Sequence, residues 1–238
     1  MFKSNSDNKD YILVGSYDNY MHCVSLETGK PKWKYETQNY VNGAPGISEG
    51  KIYFGGCDAQ LYGIKTEDGK VHTTMDAENY IANSIVVVDS VAYVAHHGNR
   101  VAAFDLKEKK RIWEFGERDF PYFASPAVTK DSVFAAGRDK RLYRINRKSG
   151  EGIWEFKTGS GIESSPVVAG NTVFVGSGDG SLYGVDIQNG KEQWSFELGD
   201  NIRSSPAVAV KPVGASGTTG NSSPEIETKP FTASCNTS

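Results

Sequence analysis

Few residues of this chain stand at spacings that chemistry needs. His96 and His97 are the one suggestive pair. Adjacent strand residues point to opposite faces, so neighbouring imidazoles are poorly placed to share a metal ion. No His or Cys partner follows them at metal-site spacing. Cys23, Cys57 and Cys235 are odd in number and scattered, which leaves the redox compartment open. Asp18, Asp58, Asp139 and Asp179 recur regularly and could line a cation site on one rim. They also sit in turns, where an aspartate bonds its own backbone, so turn formation already accounts for them. No Ser-His-Asp set, phosphate loop or paired catalytic carboxylate can be assembled. Arg138, Lys140, Arg141, Arg144, Arg147 and Lys148 form a basic stretch. It reads as a solvated edge, or else as a contact for an acidic partner or anionic lipid heads.

The aspartates matter more as members of a repeat. Val-Gly-type strands begin at Ile12, Ile52, Ala92, Val133 and Val173, spaced by 40, 40, 41 and 40 residues. The one extra residue falls in the loop Gly116–Pro121. Each run is followed by a polar turn and then an alternating strand such as Leu61-Tyr62-Gly63-Ile64 or Leu182-Tyr183-Gly184-Val185. A second turn carries Gly29, Gly69, Gly150 or Gly190, with Lys109 in the third copy. Trp33, Trp113, Trp154 and Trp194 follow, with Thr73 in the second copy. Ala44-Pro45, Ser125-Pro126, Ser165-Pro166 and Ser205-Pro206 open the next strand.

Period-two alternation cut by Gly and Asp turns predicts antiparallel strands. Four short strands per roughly 40 residues, repeated radially, predict an all-β propeller of about five four-stranded blades. The tryptophans are expected as wedges between neighbouring blades. Residues 1–10 are expected to be a flexible N-terminus, residues 11–210 the repeats, and residues 211–238, rich in Ser, Thr, Gly and Pro, a disordered tail. Two arrangements are open. Ser204–Val210 could pair with Tyr11–Gly15 and close a five-bladed ring, or the chain could form a partial arc of a larger propeller.

The composition fits a soluble globular protein: 38% hydrophobic, 23% charged and a net charge of −3. That mild acidity gives no electrostatic case for nucleic acid. No apolar run is long enough to span a bilayer, and the polar opening MFKSNSDNKD lacks the apolar core of a secretory signal.

The unit Tyr183-Gly184-Val185-Asp186, then Gly190-Lys191 and Trp194, resembles the pyrroloquinoline-quinone (PQQ) repeat. Cys23-Val24, then Gly29-Lys30 and Trp33, is similar, with Ser25 where the repeat has Asp. The resemblance covers Tyr11 to about Val210 and implies the propeller fold. It serves two functional classes. One is the quinoprotein alcohol dehydrogenases, larger eight-bladed enzymes that hold PQQ and Ca²⁺ in the axial channel. The other is non-catalytic propellers similar to the lipoprotein of the bacterial outer-membrane β-barrel assembly machine, which binds partner proteins. Such dehydrogenases carry a disulfide between adjacent cysteines beside the cofactor, and this chain has no Cys-Cys pair.

The expectation is therefore a non-enzymatic, monomeric scaffold without cofactor or metal, binding a protein or peptide, with a periplasmic or envelope location implied only by the resemblance. Two alternatives are a fragment of a quinoprotein dehydrogenase and a small-ligand or sugar-binding propeller. Where copies differ, binding residues concentrate on the loops of a rigid scaffold. The loop leading into each Ser-Pro strand presents a column that varies in size and charge: Asn42, Ala82, Phe123, Glu163 and Arg203. Tyr40, Tyr80, Phe120 and Tyr122 add aromatics beside it. The partner-binding face is expected at Tyr40, Asn42, Tyr80, Phe120, Tyr122, Phe123, Glu163 and Arg203.

Overall fold

Alternating runs separated by tight turns leave each repeat a meander of antiparallel strands. The computed structural model, which describes residues 1–116 and 118–209, contains five such four-stranded sheets and no helix among those residues. The first comprises β1 (Phe2–Lys3), β2 (Asp10–Gly15), β3 (Tyr20–Ser25) and β4 (Pro31–Glu36). The second has β5 (Gly46–Ser48), β6 (Lys51–Gly55), β7 (Gln60–Lys65) and β8 (Val71–Asp76). The third has β9 (Val86–Val88), β10 (Val91–His96), β11 (Arg100–Asp105) and β12 (Lys110–Phe115). The fourth has β13 (Ala127–Val128), β14 (Ser132–Gly137), β15 (Arg141–Asn146) and β16 (Gly152–Lys157). The fifth has β17 (Val167–Ala169), β18 (Thr172–Gly176), β19 (Ser181–Asp186) and β20 (Glu192–Glu197).

Strand order within each sheet follows the chain, so every blade is a simple meander. The turn before the fourth strand needs a left-handed residue: Gly29, Gly69, Gly150 and Gly190 have φ of 67° to 76°, and Lys109 adopts 55°. A register shift recurs one rung beyond the Trp position in all five sheets, twisting each outer strand. The apolar core lies between blades. Four clusters join blades one and two, two and three, three and four, and four and five.

The first blade departs from the expectation. Tyr11 pairs with Phe2 of β1, so of the two open arrangements the ring closed by Ser204–Val210 on Tyr11–Gly15 is not the one formed. Phe2–Lys3 and Asp10, expected in a flexible N-terminus, are thus part of the first sheet, with residues 4–9 as the connecting loop. Glu67 of the second blade holds them there, accepting from Ser4 Oγ at 2.8 Å, the Asn5 amide at 2.7 Å and Ser6 Oγ at 2.7 Å, with Lys32 Nζ at 3.0 Å. These bonds keep the Glu67 carboxyl down at about 2, the Ser6 hydroxyl first among the causes. Among the described residues no apolar cluster, hydrogen bond or ion pair links the first and fifth blades. The expected tail, residues 211–238, lies outside the described residues.

Both ends of the arc are uncovered. Val14 is 47% exposed, whereas its counterparts Phe54, Val94, Ala135 and Val175 are at most 1% exposed. In the fifth blade Trp194, Phe196 and Leu198 face solvent.

Candidate partner-binding face

Two sets of loops share one end of the blades. The turn between the second and third strands of a blade runs against the loop that enters or leaves that blade. The Val41 amide donates to Ser16 O, Ile81 to Gly56 O, Ile162 to Gly137 O and Ile202 to Ser177 O. The Cys57 amide in turn donates to Tyr40 O, His97 to Tyr80 O and Gly178 to Gly161 O. The loops are stitched to both neighbouring blades and form a rigid rim.

The Asp column supports this rim. Asp58 accepts from the Gln60 amide and Tyr62 Oη of its own blade, and from the Gln38 amide of the preceding loop at 3.1 Å. Asp179 does the same with Ser181, Tyr183 and Gly159. Asp139 holds the Arg141 amide and the Tyr143 hydroxyl. These aspartates are turn formers and blade clamps, and among the described residues no three His, Cys, Asp or Glu converge as metal ligands.

Deeper in, a hoop of side chains ties the inner strands together. The Ala44 amide donates to Ser84 Oγ at 3.0 Å, Ser84 to Ser125 Oγ at 2.9 Å, Ser125 to Ser165 Oγ at 2.9 Å and Ser165 to Ser205 Oγ at 3.0 Å. This fixes where the loops above it point.

On that frame the variable residues meet their neighbours. Tyr40 packs on Tyr17 with ring centroids 4.9 Å apart. Asn42 Nδ2 reaches Cys57 Sγ at 3.5 Å. Phe123 lies under the Arg138 guanidinium at 4.0 Å and takes the edge of His97 at 4.5 Å. Arg138 donates through Nε to Glu163 Oε1 at 2.8 Å, and Arg203 approaches Glu163 at 3.8 Å. The result is a continuous line, His97–Phe123–Arg138–Glu163–Arg203, across the mouth. A groove of ≈ 310 Å³ beside it is lined by Arg138, Lys140, Glu163 and Asn201. Tyr40, Tyr80 and Phe120 are each about half exposed, and Asn42 and Arg203 are exposed.

Tyr122 is a correction. It is only 2% exposed and packs in the cluster between blades three and four, so it belongs to the apolar column of Val41, Ile81 and Ile162. Its type suggested an interface anchor, but its phase in the repeat is core. Tyr17, His97 and Arg138 are rim residues that the loop column alone does not reveal. They occupy the equivalent position of the neighbouring turn, a column that reads Tyr17, Cys57, His97, Arg138 and Gly178 and varies as freely. His97 is held below the ordinary imidazole range by burial and by Arg138.

Fold, repeat and rim together define a PQQ-type β-propeller. A family model described as outer membrane protein assembly factor BamB matches residues 5–116 and again 97–221. The chain belongs to that family. It is similar in structure to BamB from Moraxella catarrhalis, with a TM-score of 0.72 and 16% identity over 82% of this chain and 63% of that one. It is similar also to the computationally designed Ika8 protein, with a TM-score of 0.76 and 13% identity over 88% and 64% of the two chains. Among curated proteins it is 28% identical to a quinoprotein ethanol dehydrogenase of Pseudomonas putida, over 59% of this chain and 25% of the enzyme. The chain thus spans a quarter of that relative and just under two thirds of each of these structures.

Proposed function

We propose that the chain is a non-enzymatic scaffold that binds protein or peptide partners through its loop face, in the assembly of envelope proteins. The observation that carries this reading is the rim itself. Solvent-facing Tyr40, Tyr80 and Phe120 stand beside the charged line Arg138–Glu163–Arg203 on a hydrogen-bonded frame. Exposed aromatics with arginine on a rigid support are typical anchors of protein interfaces. Membership of the BamB family supports the same reading, since that family's description is one of outer-membrane protein assembly.

The test compares the wild-type chain with a Tyr80→Ala/Arg203→Glu variant, both immobilised, in retaining proteins from a bacterial envelope extract. The variant should lose the retained proteins while keeping the wild-type melting temperature, because both side chains face solvent. Equal retention by both would sink this site.

The dehydrogenase relative favours a second reading, a quinoprotein-type ligand site. The residues present do not fit it. The sequence has no adjacent cysteine pair, and no set of three potential metal ligands converges among the described residues. Native mass spectrometry with PQQ and Ca²⁺ tests it directly: a one-to-one adduct would replace the scaffold reading.

A further inference from the structure

The rim turn between the second and third strands is clamped by an aspartate in four of the five blades. Asp18, Asp58, Asp139 and Asp179 each accept the amide two residues further on, at 3.0–3.3 Å. The third blade has Gly98 in that place, and Ala102 where Tyr62, Tyr143 and Tyr183 supply a hydroxyl to the aspartate. His96 takes over. A Cβ on Gly98 would come within 2.9–3.0 Å of the His96 imidazole, so the ring fills the space that an aspartate there would use. Its Nδ1 accepts the Gly98 amide at 3.1 Å, the bond that Ser16 Oγ and Ser177 Oγ accept in their own turns.

Imidazole differs from a carboxylate in one respect. A carboxyl group keeps an acceptor oxygen whether or not it is protonated, whereas an imidazolium has two N–H donors and no acceptor. The bond from Gly98 requires a bare Nδ1, so the neutral ring carries its proton on Nε2. That nitrogen is buried, and among the described residues no acceptor meets it. A second proton would set two N–H groups against each other and leave a buried cation without an acceptor. The charges around the ring are already paired. Glu78 of the entering loop bonds Arg111 of β12 at 2.7 Å, and Glu114 of β12 bonds Arg111 at 2.8 Å and Arg100 of β11 at 3.3 Å. His97, next along the turn, lies beside Phe123 and Arg138. Burial first, opposed by Glu78 and aided by Arg111, Arg100 and His97, keeps His96 down at about 4.

The same turn carries part of the rim. The His97 amide donates to Tyr80 O at 3.0 Å, and the His97 ring edges Phe123 at 4.5 Å. We propose that His96 makes this sector of the rim a pH switch: proton uptake by its imidazole breaks the bond from Gly98, opens the turn 96–100 and frees Tyr80 and Phe123 from His97. The four aspartate turns stay closed. The switch stands on the geometry of the turn. Its control of partner binding rests on the function proposed above, because Tyr80 and Phe123 belong to that face.

The open turn takes up its proton near the ordinary imidazole value of about 6.5 and the closed turn near 4. Opening is therefore favoured as the pH falls, about tenfold at pH 5.5 relative to pH 7.5. Hydrogen exchange of the full chain, followed by NMR at both pH values and corrected for intrinsic rates, reads this directly. Protection of the His97 and Gly98 amides should fall about tenfold. Protection of Cys57 and Gly178, the counterparts of His97 in two aspartate turns, should hold. His96→Asn, which keeps an acceptor and does not titrate, should remove the difference. Equal protection of His97 and Gly98 at both pH values, or a fall shared by Cys57 and Gly178, would overturn the switch; this comparison needs only the wild type. An unaltered fall in His96→Asn would overturn it too. Retention of envelope proteins by the immobilised wild type should weaken at pH 5.5, and that by His96→Asn should not. A responding turn with retention unchanged would overturn the control of binding; no retention at pH 7.5 either would instead overturn the function proposed above.

Discussion

Replacing each column tryptophan by alanine, one at a time, separates the residue from its surroundings. Trp113 is 8% exposed, bonds Arg147 O at 2.9 Å, and sits in the cluster between blades three and four. Truncating a core aromatic costs about 3–5 kcal/mol, and the bond it loses is worth about 1 kcal/mol of that loss. We expect about 4 kcal/mol for Trp113→Ala. Trp194 occupies the same rung of its blade but is 39% exposed. No carbonyl of a following blade receives its N–H among the described residues, and its contacts are Gly184 and Phe174 of its own sheet. Its truncation should cost about 1 kcal/mol, as for a half-buried side chain that leaves no cavity. A difference of about 3 kcal/mol corresponds to roughly 6–12 °C in melting temperature for a domain of this size. Trp33 and Trp154, half-buried and bonded, should fall between. Urea unfolding and thermal melts followed by far-UV circular dichroism measure all four. Equal losses for Trp113 and Trp194 would refute the reasoning, because the seam and not the residue is held responsible.

Two further outcomes test the packing. Burial, chief among the causes, holds His96 down at about 4, while an unfolded imidazole protonates near 6.5. The unfolded chain therefore binds more protons between these values. The stability from keeping His96 neutral is present above about pH 6.5 and is lost as the pH falls toward 4. His96→Asn, which keeps an acceptor for the Gly98 amide, should flatten the fall of melting temperature between pH 6.5 and 4; an unchanged slope would assign that fall to other groups. Gly29 and Gly69 share φ near +68°, but a Cβ on Gly29 meets nothing within 4 Å, whereas one on Gly69 meets Trp33 Cδ2 at 2.8 Å. Gly29→Ala should cost about 1 kcal/mol of left-handed strain, and Gly69→Ala about 2 kcal/mol more from the clash, read as urea midpoints; equal costs would mean that the indole does not rest on the turn.

The propeller was readable from the sequence because its parts are local. A turn at φ > 0 calls for glycine, an Asx turn calls for aspartate, and alternation fixes which face is buried. The first strand was not readable for the opposite reason. Lys3 and Asp10 are joined by six residues, not the tight turn of the other blades, and no Ser-Pro pair marks them. What places β1 is Glu67, more than sixty residues away, gripping Ser4, Asn5 and Ser6. Tyr122 shows a second limit. Residue type suggested a surface anchor, and only its position in the column, Val41, Ile81, Tyr122, Ile162, gives its burial. Arg138 shows a third: its place in a basic run hides that it spans Phe123 and Glu163 from different loops.

Departures from a repeat are the most informative residues once the seams are known. In the sequence, Thr73 and Lys109 are two unrelated weaknesses, one in the second copy and one in the third. In the fold they face each other across one seam, and a Cβ that three other turns exclude becomes possible because no indole is there. Thr73 with glycine would leave a larger void, whose cost grows with its volume, and lysine at the turn can lay its apolar stem over that space while its charged head stays in solvent, where Lys109 is exposed.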